Sequence, residues 1–182
     1  TKGGEFLMKK PIILCDCAGM SNDQWLKCRA HGPKGDIPYT VGGSDVATIF
    51  GLSPWMTPLE LWMIKKGRMK TPVKSNPDQL EMEPIAAYWY QKKTGNTVFD
   101  DTNLYQHADH PYALANMDRR YTRKVDGEPG ILECKSCTYH KAGDWADDAY
   151  PLYYELQLRF YLSFEETKHG AFSCIWGNNP DN

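Results

Sequence analysis

The stretch GILECKSC, residues 130–137, constrains this chain most. Ile131 and Leu132 are good strand formers and Gly130 follows Pro129 at a turn, so the run reads as a strand entering a core. Side chains alternate along a strand, which puts Glu133 and Lys135 on one face and Cys134 on the other. A carboxylate and an ammonium on a largely buried sheet face are costly unless they have partners or work to do. For an E-x-K triplet alone, an ordinary ion pair near a strand end is the better reading. The surroundings decide whether that reading survives.

Those surroundings run from helices into strands. Residues 11–40 read as irregular, punctuated by Gly19, Gly32, Pro33, Gly35 and Pro38, with one short helix, NDQWLKCRA, capped by Ser21 or Asn22. Ser44 or Asp45 is a candidate cap for a second helix, with Val46, Ile49 and Phe50 on its apolar face and Gly51 as its stop. Thr57-Pro58 starts another, with Leu59, Trp62 and Met63 as the buried stripe and Gly67 at its end. After a basic, Pro-bearing stretch at 68–78, a helix over 79–94 carries Met82, Ile85, Ala86 and Trp89 and stops at Gly95. TVFDDTNLYQH and HPYALANMDRRY then read as strands, and Asp126-Gly127 as the turn into GILECKSC. Residues 144–149 form a loop or short helix. Pro151 opens an amphipathic helix with Tyr153, Leu156, Phe160 and Phe164 in register, and GAFSCIWG is a last strand. The order predicts an α+β (mixed α/β) fold, with a helix packed on a central sheet.

With 182 residues and 41% hydrophobic content, including six Trp and eleven Tyr, the chain fits one domain with a real core. The start, TKGGEFLMKK, reads as an appended leader with a native Met8. Residues 1–10 are therefore placed outside the fold, and 11–182 form the expected domain. No run approaches the ~18 apolar residues that span a membrane. Net charge is -2, so the chain is no polycation, but two basic runs stand out. They are Lys65, Lys66, Arg68, Lys70 and Lys74, and Arg119, Arg120, Arg123 and Lys124. Six cysteines without a visible secretory signal point to a reducing compartment. Cys15-x-Cys17 with Cys28-x-x-His31, and Cys134-x-x-Cys137-x-x-His140, mimic zinc spacings without the paired form of a strong signal. Packed free thiols are the default.

Asp118 ends the ALANMD run. If that run and GILECKS pair around the VDGEPG turn, Asp118 comes close to Glu133. Two carboxylates at adjacent strand ends suit Mg²⁺, which takes one or two carboxylates and fills its shell with water and phosphate oxygens. A neighbouring Lys135 can orient or deprotonate a water and offset charge on a phosphate. Gln157, on the last helix, is placed to reach the same cluster. Asp126 is the weaker acid candidate, because turn chemistry already accounts for it. His107, His110 and His140 have no role in this chemistry.

The set Asp118, Glu133-Cys134-Lys135 and Gln157 resembles the PD-(D/E)XK nuclease superfamily. The blocks VGGSDVATIFGLSPWMTPLELWMIKKG, MEPIAAYWYQKKTG, ALANMD and YYELQLRFYL are similar to those of YqaJ-type viral recombinases, the phage lambda exonuclease group. The similarity runs from about Trp25 to Gly177. It implies a restriction-endonuclease-like core of a mixed sheet flanked by helices. It also implies a Mg²⁺-dependent deoxyribonuclease, with Mn²⁺ able to substitute, that acts 5′ to 3′ on double-stranded DNA ends in phage recombination. An endonuclease or nickase of the same fold, or a non-catalytic DNA-binding protein, are the alternatives.

Carried over residue by residue, the metal ligands are Asp118, Glu133 and the Cys134 backbone carbonyl, with Glu83 approaching a second metal. Lys135 acts on the water, assisted by Gln157. Arg29 and Ser44, from the W-x-x-x-R and GGS elements, would hold a terminal 5′-phosphate. The sequence departs from the family at DQLEMEP, where Glu81 competes with Glu83. It departs also in the longer, Gly- and Pro-rich stretch before Ser44, and in stopping soon after CIWG. Trp55 or Tyr112 could stack on bases, with the basic runs along the DNA path. A ring-shaped homotrimer, a partner single-strand annealing protein and a cytoplasmic setting in a bacterial host are further implications of the resemblance.

Overall fold

The structure, a computed structural model, describes residues 9–72, 81–145, 149–165 and 167–176. Residues 1–8, Lys74, the expected helix start at 79 and Gly177 lie outside the described residues. In chain order the elements are β1 (Ile12–Asp16), α1 (Asn22–His31), α2 (Gly43–Ile49), α3 (Pro58–Lys65) and α4 (Glu83–Thr94). They continue with β2 (Thr97–Asp100), β3 (Asn103–Gln106), β4 (Leu114–Ala115), β5 (Arg119–Thr122), β6 (Pro129–Cys137), α5 (Leu152–Leu162) and β7 (His169–Trp176).

The main sheet has the order β2-β5-β6-β7. β2, β5 and β6 pair antiparallel, while β6 and β7 run parallel and are joined through α5. A parallel pair needs a crossover of this kind, and the mixed sheet with helices on it is the α+β architecture expected. β6 is the spine: residues 130–134 are all buried. Its alternation separates two cores. Ile131 packs with Met117, Leu158, Tyr161 and Phe164 on the α5 side, and Leu132 and Cys134 pack with Ala86, Ala87 and Tyr121 on the α4 side. Ile131 and Leu132 have no exposed surface, and each such burial stabilises the fold by about 1.5–3 kcal/mol. Glu133 and Lys135 therefore face α5. Gly130 has a separate constraint, since a Cβ there would run into the Tyr121 ring.

Local signals set the helix ends. Ser21 caps α1 in a reciprocal box with Gln24, and Thr57 caps α3 with Glu60 and Pro58 at the start. Gly95 ends α4 in the left-handed conformation at φ 73°.

Other features differ from expectation. Residues 12–16, read as irregular, form β1, which pairs with β3 in a second sheet of order β1-β3-β4. The run read as one strand over 97–107 divides into β2 and β3, which belong to different sheets, and the run over 110–121 divides into β4 and β5. Residues 139–145 form a short 3-10 helix. α2 buries Gly43, Ala47 and Thr48 and leaves Ile49 and Phe50 exposed, because its small residues let it approach α5: a Cβ on Gly43 would lie 2.5 Å from the Tyr161 ring. α3 likewise buries Leu61 and exposes Leu59 and Trp62, and α4 buries Ala86 and Ala87 while Ile85 and Trp89 are exposed.

Candidate active site

Arg119 pairs with Leu132 across β5 and β6, so the same register carries Asp118 opposite Glu133. Asp118 Oδ2 accepts the Cys134 backbone N–H at 2.9 Å, which fixes the acid at the end of β5. Glu133 is fully buried. Its Oε1 is an acceptor for both Lys135 Nζ and Gln157 Nε2, the latter from α5 one layer above the sheet. Gln157 also donates to the Tyr161 hydroxyl at 3.2 Å. Lys135 Nζ lies 3.9 Å from Asp118 Oδ2 and 5.2 Å from the centre of the Tyr154 ring. The structure thus brings Asp118, Glu133, Lys135 and Gln157 into one contact network.

The second oxygen of Glu133 is different. Oε2 is buried, and among the described residues only it and Ser136 Oγ are buried side-chain N or O atoms without a hydrogen-bond partner. An ionised carboxylate oxygen in that position carries a full desolvation cost. Burial first, and then the charge of Asp118, raise the carboxyl above its usual range; Lys135 opposes this, and Glu83 adds to the rise. Lys135 is held as an ammonium well above the ordinary lysine range, since the charges of Glu133 and Asp118 outweigh its own desolvation. Lys135 is thus a charged group set between the two acids, and burial is what works against ionisation of Glu133.

A divalent cation fits this donor set. Oε2 is an unpartnered acceptor on a buried acid, the opposing acid is Asp118, and hard cations take oxygen ligands of this kind. Among the described residues no three His, Cys, Asp or Glu side chains form a metal-holding group. Glu83 sits in the first turn of α4, and its charge reaches Glu133. Glu81 is exposed. Asp126 is tied into its turn, accepting from Glu128 N at 3.1 Å and pairing with Arg123 at 3.3 Å.

Arg29 and Ser44 also meet. Arg29 Nη2 donates to Ser44 Oγ at 3.4 Å, and the guanidinium lies 4.5 Å from the Trp25 ring centre. Trp25 is pinned in turn by its Nε1 donating to Asn116 Oδ1 at 2.8 Å. Gly42 caps α2, with Asp45 Oδ2 accepting the Gly42 N–H at 2.9 Å, so Ser44 is released from capping and keeps its hydroxyl for Arg29. The charge of Arg29 reaches Tyr161, the residue that bonds Gln157. Tyr161 thus borders both regions, with Gly43, the residue before Ser44, against its ring and Gln157 on its hydroxyl. Sequence reasoning passed over Tyr161, Tyr154 and Asn116; their only signal was position, on the helix that carries Gln157 and beside Asp118.

Four members of the basic runs have partners within the chain. Arg120 is spent on structure: it pairs with Asp101 at 2.5 Å and with Glu165, and Asp101 also accepts from the Tyr105 hydroxyl at 3.0 Å. Arg119 pairs with Asp100, Arg123 contacts His169, and Lys65 pairs with Asp45. The Cys134/Cys137/His140 spacing does not converge, since Cys134 faces the α4 core whereas Cys137 Sγ lies 3.6 Å from Cys174 Sγ on β7; Cys17 packs with Cys15 and Cys28, but His31 Nδ1 is engaged with the Ile37 carbonyl at 3.2 Å. Cys15 and Cys28 bring their sulfurs within 3.2 Å. Burial pushes the Cys134 thiol up to about 12, which makes it an unreactive core thiol.

A family model described as the YqaJ-like viral recombinase domain matches residues 24–168. The chain belongs to this family. It is 31% identical over 178 residues to the uncharacterized protein YqaJ of Bacillus subtilis (strain 168), an alignment that takes in 94% of the chain and 51% of that protein. The chain thus spans about half the length of the curated relative it matches. Among solved structures, the fold is similar to that of an alkaline exonuclease, LHK-Exo, from Laribacter hongkongensis, with a TM-score of 0.63 and 18% identity over 87% of this chain and 76% of that one. The same enzyme in complex with dAMP gives a TM-score of 0.60 and 18% identity over 78% of this chain and 72% of that one. These likenesses show that the chain shares the fold of that alkaline exonuclease. Among the described residues no helix is long and apolar enough to cross a membrane.

Proposed function

We propose that this YqaJ-family chain is a divalent-metal-dependent deoxyribonuclease that degrades double-stranded DNA from its ends, 5′ to 3′, in phage or prophage recombination. The observation that carries the reading is Glu133, a fully buried acid with one oxygen held by Lys135 and Gln157 and the other partnerless beside Asp118. Asp118, Glu133 and the Cys134 backbone carbonyl would hold Mg²⁺, or Mn²⁺ in its place, with Glu83 approaching from α4. When bound, the cation supplies Lewis-acid polarisation of the phosphate and a nucleophilic water at neutral pH.

The remaining work falls to the chain's own groups. Gln157 fixes Glu133 Oε1, so the free oxygen keeps one direction. The Cys134 N–H does the same for Asp118. Lys135, as an ammonium, donates a hydrogen bond that orients the attacking water and offsets negative charge on the phosphate as the water oxygen bonds to phosphorus and the bond to the leaving oxygen breaks; the proton the water releases to solvent balances the one the leaving oxygen takes up. Arg29 and Ser44 present a forked donor and a hydroxyl to a terminal 5′-phosphate, a role for which a guanidinium is suited. Double-stranded DNA ends are the substrate of this reading. A homotrimeric ring, a single-strand annealing partner and a bacterial cytoplasm belong to the same proposal.

The test compares linear duplex carrying a 5′-phosphate, linear duplex carrying a 5′-hydroxyl, and covalently closed circles, each with Mg²⁺ and with EDTA. The reading expects Mg²⁺-dependent loss of linear DNA, fastest with the 5′-phosphate, and intact circles. Nicked or linearised circles would replace it with an endonuclease. No cleavage of any substrate would reduce the chain to a binding protein.

A further inference from the structure

The connection between α2 and α3 carries an indole that the fold does not bury. Trp55 is 68% exposed, although tryptophan gains more from burial than almost any residue. Its ring is nevertheless held in place. It stands edge-on to Tyr153 with centroids 4.8 Å apart, and lies 6.3 Å from Tyr154 at a tilt. Tyr153 and Tyr154 in turn pack on each other at 4.5 Å, at the start of α5. Tyr154 is the ring 5.2 Å from Lys135 Nζ. A chain of aromatic contacts thus leads from the ammonium of the candidate active site to an open indole.

The two steps from Lys135 to Tyr154 and from Tyr154 to Trp55 bound the reach of this chain. Stacked nucleotides advance by roughly 3.4 Å each along a strand. Trp55 is therefore within a few nucleotides of a phosphate placed at Lys135. Bases offer flat apolar faces whatever their sequence, and stacking on aromatic side chains is the sequence-tolerant way to hold them. A ring braced on one side by two tyrosines and open on the other is preorganised for that partner, and the neighbouring ammonium complements the phosphate that comes with it.

We propose that Trp55 is a base-stacking positioning residue, which holds an unpaired base of the strand whose phosphate lies at Lys135. The proposal rests on the nuclease reading above. It adds that the terminal nucleotides are unstacked from the duplex and taken up by Trp55, braced by Tyr153 and Tyr154.

The test uses 2-aminopurine placed singly at the first, second, third or tenth nucleotide from a 5′-phosphorylated duplex end. Fluorescence is read without divalent cation, and digestion is read separately with Mg²⁺. Wild-type protein is expected to change the emission of a probe in the first three positions and to leave the tenth unchanged. Trp55→Ala is expected to abolish that positional change and to raise KM by roughly 5- to 150-fold with a smaller effect on kcat. Trp55→Phe is expected to retain most of both, which separates stacking from a folding defect. An unaltered positional profile in Trp55→Ala, alongside normal digestion, would overturn the stacking role and leave the nuclease reading standing. Loss of oligomeric mass in Trp55→Ala with an unaltered profile would overturn it too, in favour of a contact between subunits. Absence of digestion by wild type would count against the nuclease reading itself.

Discussion

Glu133→Gln isolates the cost of the buried acid. In the metal-free protein burial pushes the Glu133 carboxyl up to about 8, against an ordinary value of 4.5. The folded state then holds a proton that the unfolded chain has released, so stability falls as pH rises between those values. The neutral acid's contribution is fully present below 4.5 and is lost as pH passes through about 8. The shift corresponds to about 5 kcal/mol as an upper bound, at about 1.4 kcal/mol per pH unit. Glutamine keeps an acceptor for Lys135 and Gln157 but does not titrate.

Urea unfolding of both proteins in EDTA, from pH 5 to pH 9, measures the difference directly. Wild type is expected to lose a few kcal/mol relative to the variant across that range. Adding Mg²⁺ at pH 9 should return the loss to wild type and leave Glu133→Gln unchanged, because only the ionised acid gains a ligand partner. Parallel pH profiles for the two proteins would refute the reasoning, for they would mean that Glu133 ionises in the folded state without cost.

Gln157→Leu removes the donor that orients Glu133, and the Mg²⁺ concentration needed for half-maximal activity should rise by about 10- to 100-fold, read by titration with metal. Gly43→Ala would push a methyl group against the Tyr161 ring; a loss of about 1–3 kcal/mol on urea unfolding is expected, with Ser44 displaced from Arg29. Arg120→Ala strands Asp101 and Glu165 and should cost about 3–5 kcal/mol in stability, with DNA affinity unchanged once the variant is kept folded at low temperature.

The candidate site was legible because strand alternation is a strict rule. One E-x-K triplet in an apolar run sets a face, and the Asp126-Gly127 turn sets the register that carries Asp118 opposite Glu133. Helix ends were legible for the same local reason, as at Ser21, Thr57 and Gly95. β1 was not, because Ile12 and Ile13 are both exposed and the pairing with β3 carries an irregularity between Ile13 and Cys15, so no alternation survives. The division of the 97–107 run depends on Asp101, whose burial is made tolerable by Arg120 from β5 and by the Tyr105 hydroxyl of β3. The inward faces of α2 and α4 escaped the apolar pattern because close packing selected Gly43, Ala86 and Ala87 over larger neighbours. The partners of Arg119, Arg120 and Arg123 were hidden in the charge run because they meet only in three dimensions.

The account's central claim is that Asp118, Glu133 and Lys135 form one metal-dependent hydrolytic centre. The most direct test is digestion of a linear duplex with one 5′-phosphorylated, end-labelled strand by wild type and by Lys135→Ala, each in Mg²⁺ and in EDTA. Loss of the label by wild type in Mg²⁺ alone, and by Lys135→Ala in neither, is the predicted result. Cleavage that survives in folded Lys135→Ala at the wild-type rate would contradict the claim and move the chemistry to another part of the molecule.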